Sequence, residues 1–233
     1  MMNCDDKLGV CSINSDKNSN IKFELDKKDT LYYIGDPMCS WCYGMSDILK
    51  NIEKYCKTND IKFQILVAGL RAGGGDVWND NFKSFLKNEW SKISELTKKK
   101  FSFSILDLDF FNYDTRPACK AVYIVKLLIK DNSTKILEFF SAIQNKFYAK
   151  SEDPKELKFY EEICKENEID FDEFTNLFND KKIEDDLEKE FLFSRTFSSS
   201  MPSLVFMKEE KKTNISIGYS KYEDVVSKLE KIL

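Results

Sequence analysis

Cys39 and Cys42 stand two residues apart in the stretch DPMCSWCYGM, residues 36–45. Two cysteines so spaced at the start of a helix close a small disulfide ring, and the first sulfur then lies beside unpaired N–H groups at the positive end of the helix. That setting favours the thiolate: a free thiol titrates near ~8.5, and such motifs bring it to roughly 3.5–7.5. The chemistry is thiol–disulfide exchange. Cys39 attacks a disulfide as nucleophile, Cys42 resolves the mixed disulfide, and reduced product leaves while the two cysteines become joined; run backwards, the cycle oxidises a dithiol. The other use of a C-x-x-C pair is half of a structural zinc site, with further ligands drawn from Cys4, Cys11, Cys56, Cys119 or Cys164. No second C-x-x-C is present, and a pair lying between a strand, a turn and a helix suits redox work. No metal and no cofactor are expected.

The chain has no histidine, which excludes Ser-His-Asp and Cys-His nucleophile pairs and histidine-ligated zinc. Its 233 residues, 42% hydrophobic, suffice for one sizeable core. Basic and acidic residues are interspersed around a net charge of -4, so nucleic acid is not an expected partner. No apolar run reaches the ~18 residues of a membrane span, and the N-terminus lacks an apolar segment behind a basic one. Seven cysteines without an export signal fit a reducing compartment, and the cytoplasm is the expected location.

Positioning the cysteines requires a strand before them and a helix after them. LYYIG, 31–35, is an apolar run ending at the turn residues Gly35 and Pro37, and a helix is expected over about 40–57. IKFQILV, 61–67, reads as a second buried strand. AGLRAGGGD then gathers four of the eight glycines into a loop beside a site, without the lysine and hydroxyl residue that end a phosphate loop. Helical spacing follows at Ala118–Ile129, Ile136–Phe147, Leu157–Cys164, Phe171–Phe178 with Asp170 as N-cap, and Ile183–Phe191. SLVFM, 203–207, and the alternation at Ile215 and Ile217 restore strand spacing, and a final helix begins at a Ser220/Glu223 capping box. The order matches an α/β protein with a thioredoxin-like core, a central mixed sheet flanked by helices, and a helical domain inserted in its middle. The division expected is a flexible tail, 1–29; a first part of the core, 30–75; the helical insertion, 76–180; and a second part of the core, 181–233.

DPMCSWCYGM, GLRAGG, YDTRPACKAV and a Met-Pro before a strand together resemble the DsbA-like thioredoxin-fold family, in its FrnE-like branch, from about Leu31 onward. The resemblance implies dithiol–disulfide oxidoreductase or isomerase activity on protein or peptide thiols and disulfides, with a cellular thiol as reductant. It implies Cys39 as nucleophile, Cys42 as resolving thiol and a cis Pro202 facing the pair, where a trans proline would merely begin the strand. A cis bond there would turn the backbone of Met201 towards an extended substrate. Ser40 and a partly exposed Trp41 are expected to add substrate contacts. Two other functions carry on from the same fold: an adaptor that presents a partner to a protease, with the cysteines as a switch, and a glutathione-dependent kappa-like transferase or isomerase.

The position six residues before the nucleophile, often a buried carboxylate in thioredoxin-like proteins, holds Tyr33. Asp36 is the nearest acid, either a proton acceptor for the resolving step or one half of an Asp-Pro turn. Cys56, Cys119 and Cys164 read as core thiols. Arg71 reads as a solvated or salt-bridged group rather than an anion contact. Cys4 and Cys11 read as incidental tail thiols, or else as a second redox pair relaying electrons to Cys39 and Cys42. Strongly oxidising relatives carry Pro-His between their cysteines; Ser40-Trp41 supplies no imidazolium. A redox titration against glutathione should therefore give a potential of roughly -200 to -270 mV, and a value above about -150 mV would contradict this reading.

Overall fold

A computed structural model describes residues 3–5, 7–13, 28–130 and 132–233. Its centre is a four-stranded sheet. Strand β3 (Thr30–Gly35) is buried along its whole length, as its unbroken apolar and aromatic run requires. It pairs in parallel with β4 (Lys62–Val67) and antiparallel with β6 (Ser203–Lys208), and β6 pairs with β7 (Lys211–Ile217) at the edge, giving the order β4-β3-β6-β7.

The helix expected after β3 is two helices, α1 (Ser40–Gly44) and α2 (Ser46–Thr58), joined at Met45. Gly44 lets α1 lie close to α3 (Asp80–Thr97), since a Cβ there would stand 2.9 Å from Ile93. Between β4 and the last strands run α3, α4 (Arg116–Ile129), α5 (Ser133–Lys150), α6 (Phe159–Glu166), α7 (Phe171–Phe178) and α8 (Lys181–Phe197). Asp170 caps α7 as expected, accepting the Glu173 N–H at 2.8 Å. The final helix α9 (Tyr222–Glu230) departs from expectation: Lys221 holds the cap position, and the Ser220 hydroxyl bonds that of Ser216 instead. Helix α3 is not among the helices expected from the spacing. Asn79 accepts the N–H of Phe82 as N-cap, and Leu86, Trp90 and Ile93 form its buried face.

The polar N-terminal stretch is not simply a tail. Strands β1 (Asn3–Asp5) and β2 (Val10–Ser12) form an antiparallel hairpin, and β2 continues onto the short strand β5 (Ser200–Met201). Residues 1–2, 6 and 14–27 of the expected tail lie outside the described residues. The hairpin turn is encoded locally: the Asp5 carboxylate accepts the N–H groups of Lys7 and Leu8, and Gly9 takes the left-handed φ of 60° that closes it. Cys4 and Cys11 face each other across the hairpin and are disulfide-bonded, which overturns their reading as incidental thiols.

Candidate active site

Asp36 stands where the chain leaves β3. Its carboxylate is wholly buried; one oxygen accepts the Met38 N–H at 2.8 Å and the other accepts the Leu70 N–H at 2.7 Å. The Cys119 thiol donates to the second oxygen at 3.3 Å, and the Asp36 carbonyl accepts the Cys39 N–H at 3.0 Å. One residue thus ties the cysteine turn to the glycine loop and to α4. Burial raises the carboxyl above the ordinary carboxylate range, although hydrogen bonds from Thr115, Met38, Leu70 and Cys119 oppose that rise. Of the two roles open to Asp36, its contacts serve the turn.

The other two motifs close on the same point. Gly69 takes a φ of 63°, and a Cβ there would lie 2.7 Å from the Phe191 ring, so glycine alone lets Leu70 reach Asp36. Arg71 and Thr115 bond reciprocally: the Arg71 N–H donates to the threonine hydroxyl at 3.1 Å, and the Thr115 N–H donates to the arginine carbonyl at 3.2 Å. Tyr113 and Tyr148 both donate to the Met38 carbonyl, at 2.9 and 2.6 Å, fixing the residue before the nucleophile. Arg71 is salt-bridged to Asp76 but buried rather than solvated, its guanidinium stacked over Phe82 and Tyr113. Tyr148 drew no notice as a sequence position, because only the fold brings α5 under this turn.

Cys39 is the N-cap residue of α1 and Cys42 lies within that helix; both thiols are free and both residues are 0% exposed. The Cys39 Sγ lies 3.9 Å from the carbonyl oxygen of Met201, and the Met201–Pro202 bond is cis. Burial pushes the Cys39 thiol well above the ordinary range, and neighbouring Cys42 adds to the rise. The sequence expectation of a lowered pKa is overturned in this arrangement: a sulfur removed from water loses more thiolate hydration than the start of a five-residue helix returns. Burial first, and the adjacent Cys42 thiol second, push the Tyr33 phenol well above its ordinary range, and no hydrogen-bond partner meets its hydroxyl among the described residues.

Ser40 and Met201 are buried, and Trp41, expected to be partly open, is 3% exposed. Tyr219 covers its ring at a centroid distance of 6.1 Å, and its indole N–H has no hydrogen-bond partner among the described residues. Cys56 and Cys164 are core thiols, raised by burial to about 12. Among the described residues no group of three or more His, Cys, Asp or Glu could hold a metal ion, and no helix is long and apolar enough to cross a membrane.

No family model matches the chain. A curated relative, the ClpXP adapter protein SpxH of Halalkalibacterium halodurans, is 30% identical over 102 residues, which are 40% of this chain and only 31% of that protein's length. Among solved structures, a candidate protein disulfide isomerase from Nitrosomonas europaea is 27% identical, with a TM-score of 0.77 over 88% of this chain and 97% of that one. The cytosolic disulfide reductase DsbM from Pseudomonas aeruginosa is 19% identical, with a TM-score of 0.67 over 87% of this chain and 98% of that one.

Asp36→Ala leaves two backbone N–H groups and a thiol without their acceptor in the interior. Chemical denaturation should show a loss of about 3 kcal/mol, and a loss below about 1 kcal/mol would mean that the turn does not depend on this carboxylate. Alkylation of Cys39 by iodoacetamide in the reduced protein should be slow at neutral pH and still rising above about pH 9, since a raised pKa leaves the thiol protonated; a plateau below about pH 7 would contradict the burial argument.

Proposed function

We propose that this chain, a DsbA-like thioredoxin-fold protein and a thiol–disulfide oxidoreductase in the broad sense, reduces or isomerises protein disulfides through Cys39 and Cys42. The observation that carries this reading is the approach of Cys39, at the start of α1, to the Met201 carbonyl of β5. A peptide laid along β5 as an added strand would bring its disulfide to that sulfur. The Cys39 thiolate attacks one sulfur of the substrate disulfide and the other departs as a thiolate, taking up a proton. Cys42 then attacks Cys39 in the mixed disulfide and releases the second substrate thiol. The substrate gains two electrons and the cysteine pair loses two, to be restored by a cellular thiol.

Burial that keeps the Cys39 thiol protonated denies the reduced pair the thiolate stabilisation that makes a strong oxidant, which supports reduction over strong oxidation. The cytoplasm, where thiols are kept reduced, is the compartment this chemistry suits. Asp36 serves as the anchor of the turn, Ser40 and Trp41, which lie under Cys11 and Gly9 of the N-terminal hairpin, meet the substrate once that hairpin is displaced, and Pro202 bounds the groove. The four motifs support placement in the FrnE-like branch.

The partial likeness to a ClpXP adapter favours a second reading, in which the fold presents a partner to a protease and the cysteines act as a switch. A Cys39→Ser, Cys42→Ser double variant separates the two. The enzyme reading expects turnover of a model protein disulfide to fall at least about 100-fold, and a Cys42→Ser variant to retain substrates as mixed disulfides on Cys39. Undiminished biological activity in the double variant would favour the adaptor.

A further inference from the structure

The N-terminal hairpin occupies the groove that a substrate would need. Strand β2 runs antiparallel to β5 with Cys11 opposite Met201 and Ser12 opposite Ser200. The two serine hydroxyls bond at 2.8 Å, and the Ile13 N–H donates to the Ser199 carbonyl at 2.9 Å, which continues the ladder beyond the strand ends. The turn is seated as firmly. The Gly9 carbonyl accepts the Tyr219 N–H at 2.9 Å, and a Cβ on Gly9 would stand 3.1 Å from the Trp41 ring and 2.8 Å from Tyr219 Cβ. Cys4 and Cys11 share a gap of about 20 Å³ with Met38, Ser40, Trp90 and Tyr113, directly over the cysteine turn. An extended segment paired to the strand before Pro202, carrying a disulfide over Met38 and Ser40 on either side of the nucleophile and opposite the Met201 that Cys39 approaches, has the geometry of a bound substrate.

We propose that the Cys4–Cys11 disulfide is a second redox site, an internal substrate that β5 holds for exchange with Cys39. This rests on the thiol–disulfide reading of Cys39 and Cys42. The Cys39 thiolate attacks one sulfur of the Cys4–Cys11 bond and the other leaves as a thiolate, which is protonated. Cys42 attacks Cys39 and frees the second hairpin thiol. Cys39 and Cys42 together lose two electrons and two protons, and Cys4 and Cys11 gain them. The hairpin dithiol then reduces an outside disulfide by the same exchange, and two molecules of a low-molecular-weight thiol reopen Cys39–Cys42, leaving as their own disulfide. The relay accounts for the burial of the catalytic pair. Cys39 and Cys42 are sealed from solvent, whereas Cys4 is only half-buried and offers the outlet. Strands of three residues each, with only β2 paired to β5, give the hairpin a short ladder to break when it lifts away for turnover.

The test uses the full chain with Cys42→Ser, which traps the first exchange. Non-reducing peptide mapping should recover Cys39 bonded to Cys4 or Cys11, at a rate independent of protein concentration. If no such bond forms while the same variant takes glutathione from glutathione disulfide onto Cys39, the relay falls and the assigned role of Cys39 stands. If Cys39 bonds neither, the redox reading of the pair falls and the relay with it. In the otherwise unaltered chain, glutathione should open Cys4–Cys11 at least about tenfold faster than in a Cys39→Ser variant; equal rates would overturn the relay.

Discussion

The buried carboxylate of Asp36 is the constraint on which the rest of this site depends. Its two oxygens take N–H groups from the cysteine turn and the glycine loop and a thiol from α4, elements far apart in the chain. An ionised or polar group so deep in the protein is costly unless its lone pairs are filled, and each missing donor would leave a penalty of roughly 1–3 kcal/mol. The three partners are therefore held to one another through it. Thr115 and Tyr113 from the segment leading into α4, and Tyr148 from α5, reinforce the junction, and the two tyrosines fix Met38, the residue before the nucleophile.

That rigidity accompanies unusual closure. The helix start at Cys39 would favour a thiolate in an open cleft, but here α3, β5 and the N-terminal hairpin exclude water from both sulfurs. Desolvation of the charged form wins over a short helix end. Tyr33, in place of a carboxylate beneath the pair, adds no negative charge at neutral pH and sets a hydroxyl against Cys42. The site thus holds the Cys39 thiol protonated, and the segment that already lies against Met201 beside it is the N-terminal hairpin.

Much of the framework was legible in the residues because it depends on local periodicity. The buried strand over 31–35, the partner strand over 61–67 and the helices beginning near 116, 133, 159 and 171 announce themselves by apolar spacing and by caps such as Asp170. The break at Met45 was not legible, since the sequence over 40–57 has continuous helical character and the bend comes from seating α1 on α3 through Gly44. The hairpin was missed for another reason. Its strands are three residues each, too short for alternation to register, and only Asp5 and Gly9 mark the turn between them.

By itself the sequence pointed to the reactive chemistry: a C-x-x-C pair after a strand, no histidine to support it, and a glycine-rich loop expected at the edge of a site. Covalent spacing and local propensity suffice for that, because they act over a few residues. Only the tertiary structure decided what surrounds the sulfurs. Exposure, pKa direction and the pairing of Cys4 with Cys11 over the groove at Met201 depend on segments nearly two hundred residues apart, and burial is a property of that assembly rather than of any stretch of chain.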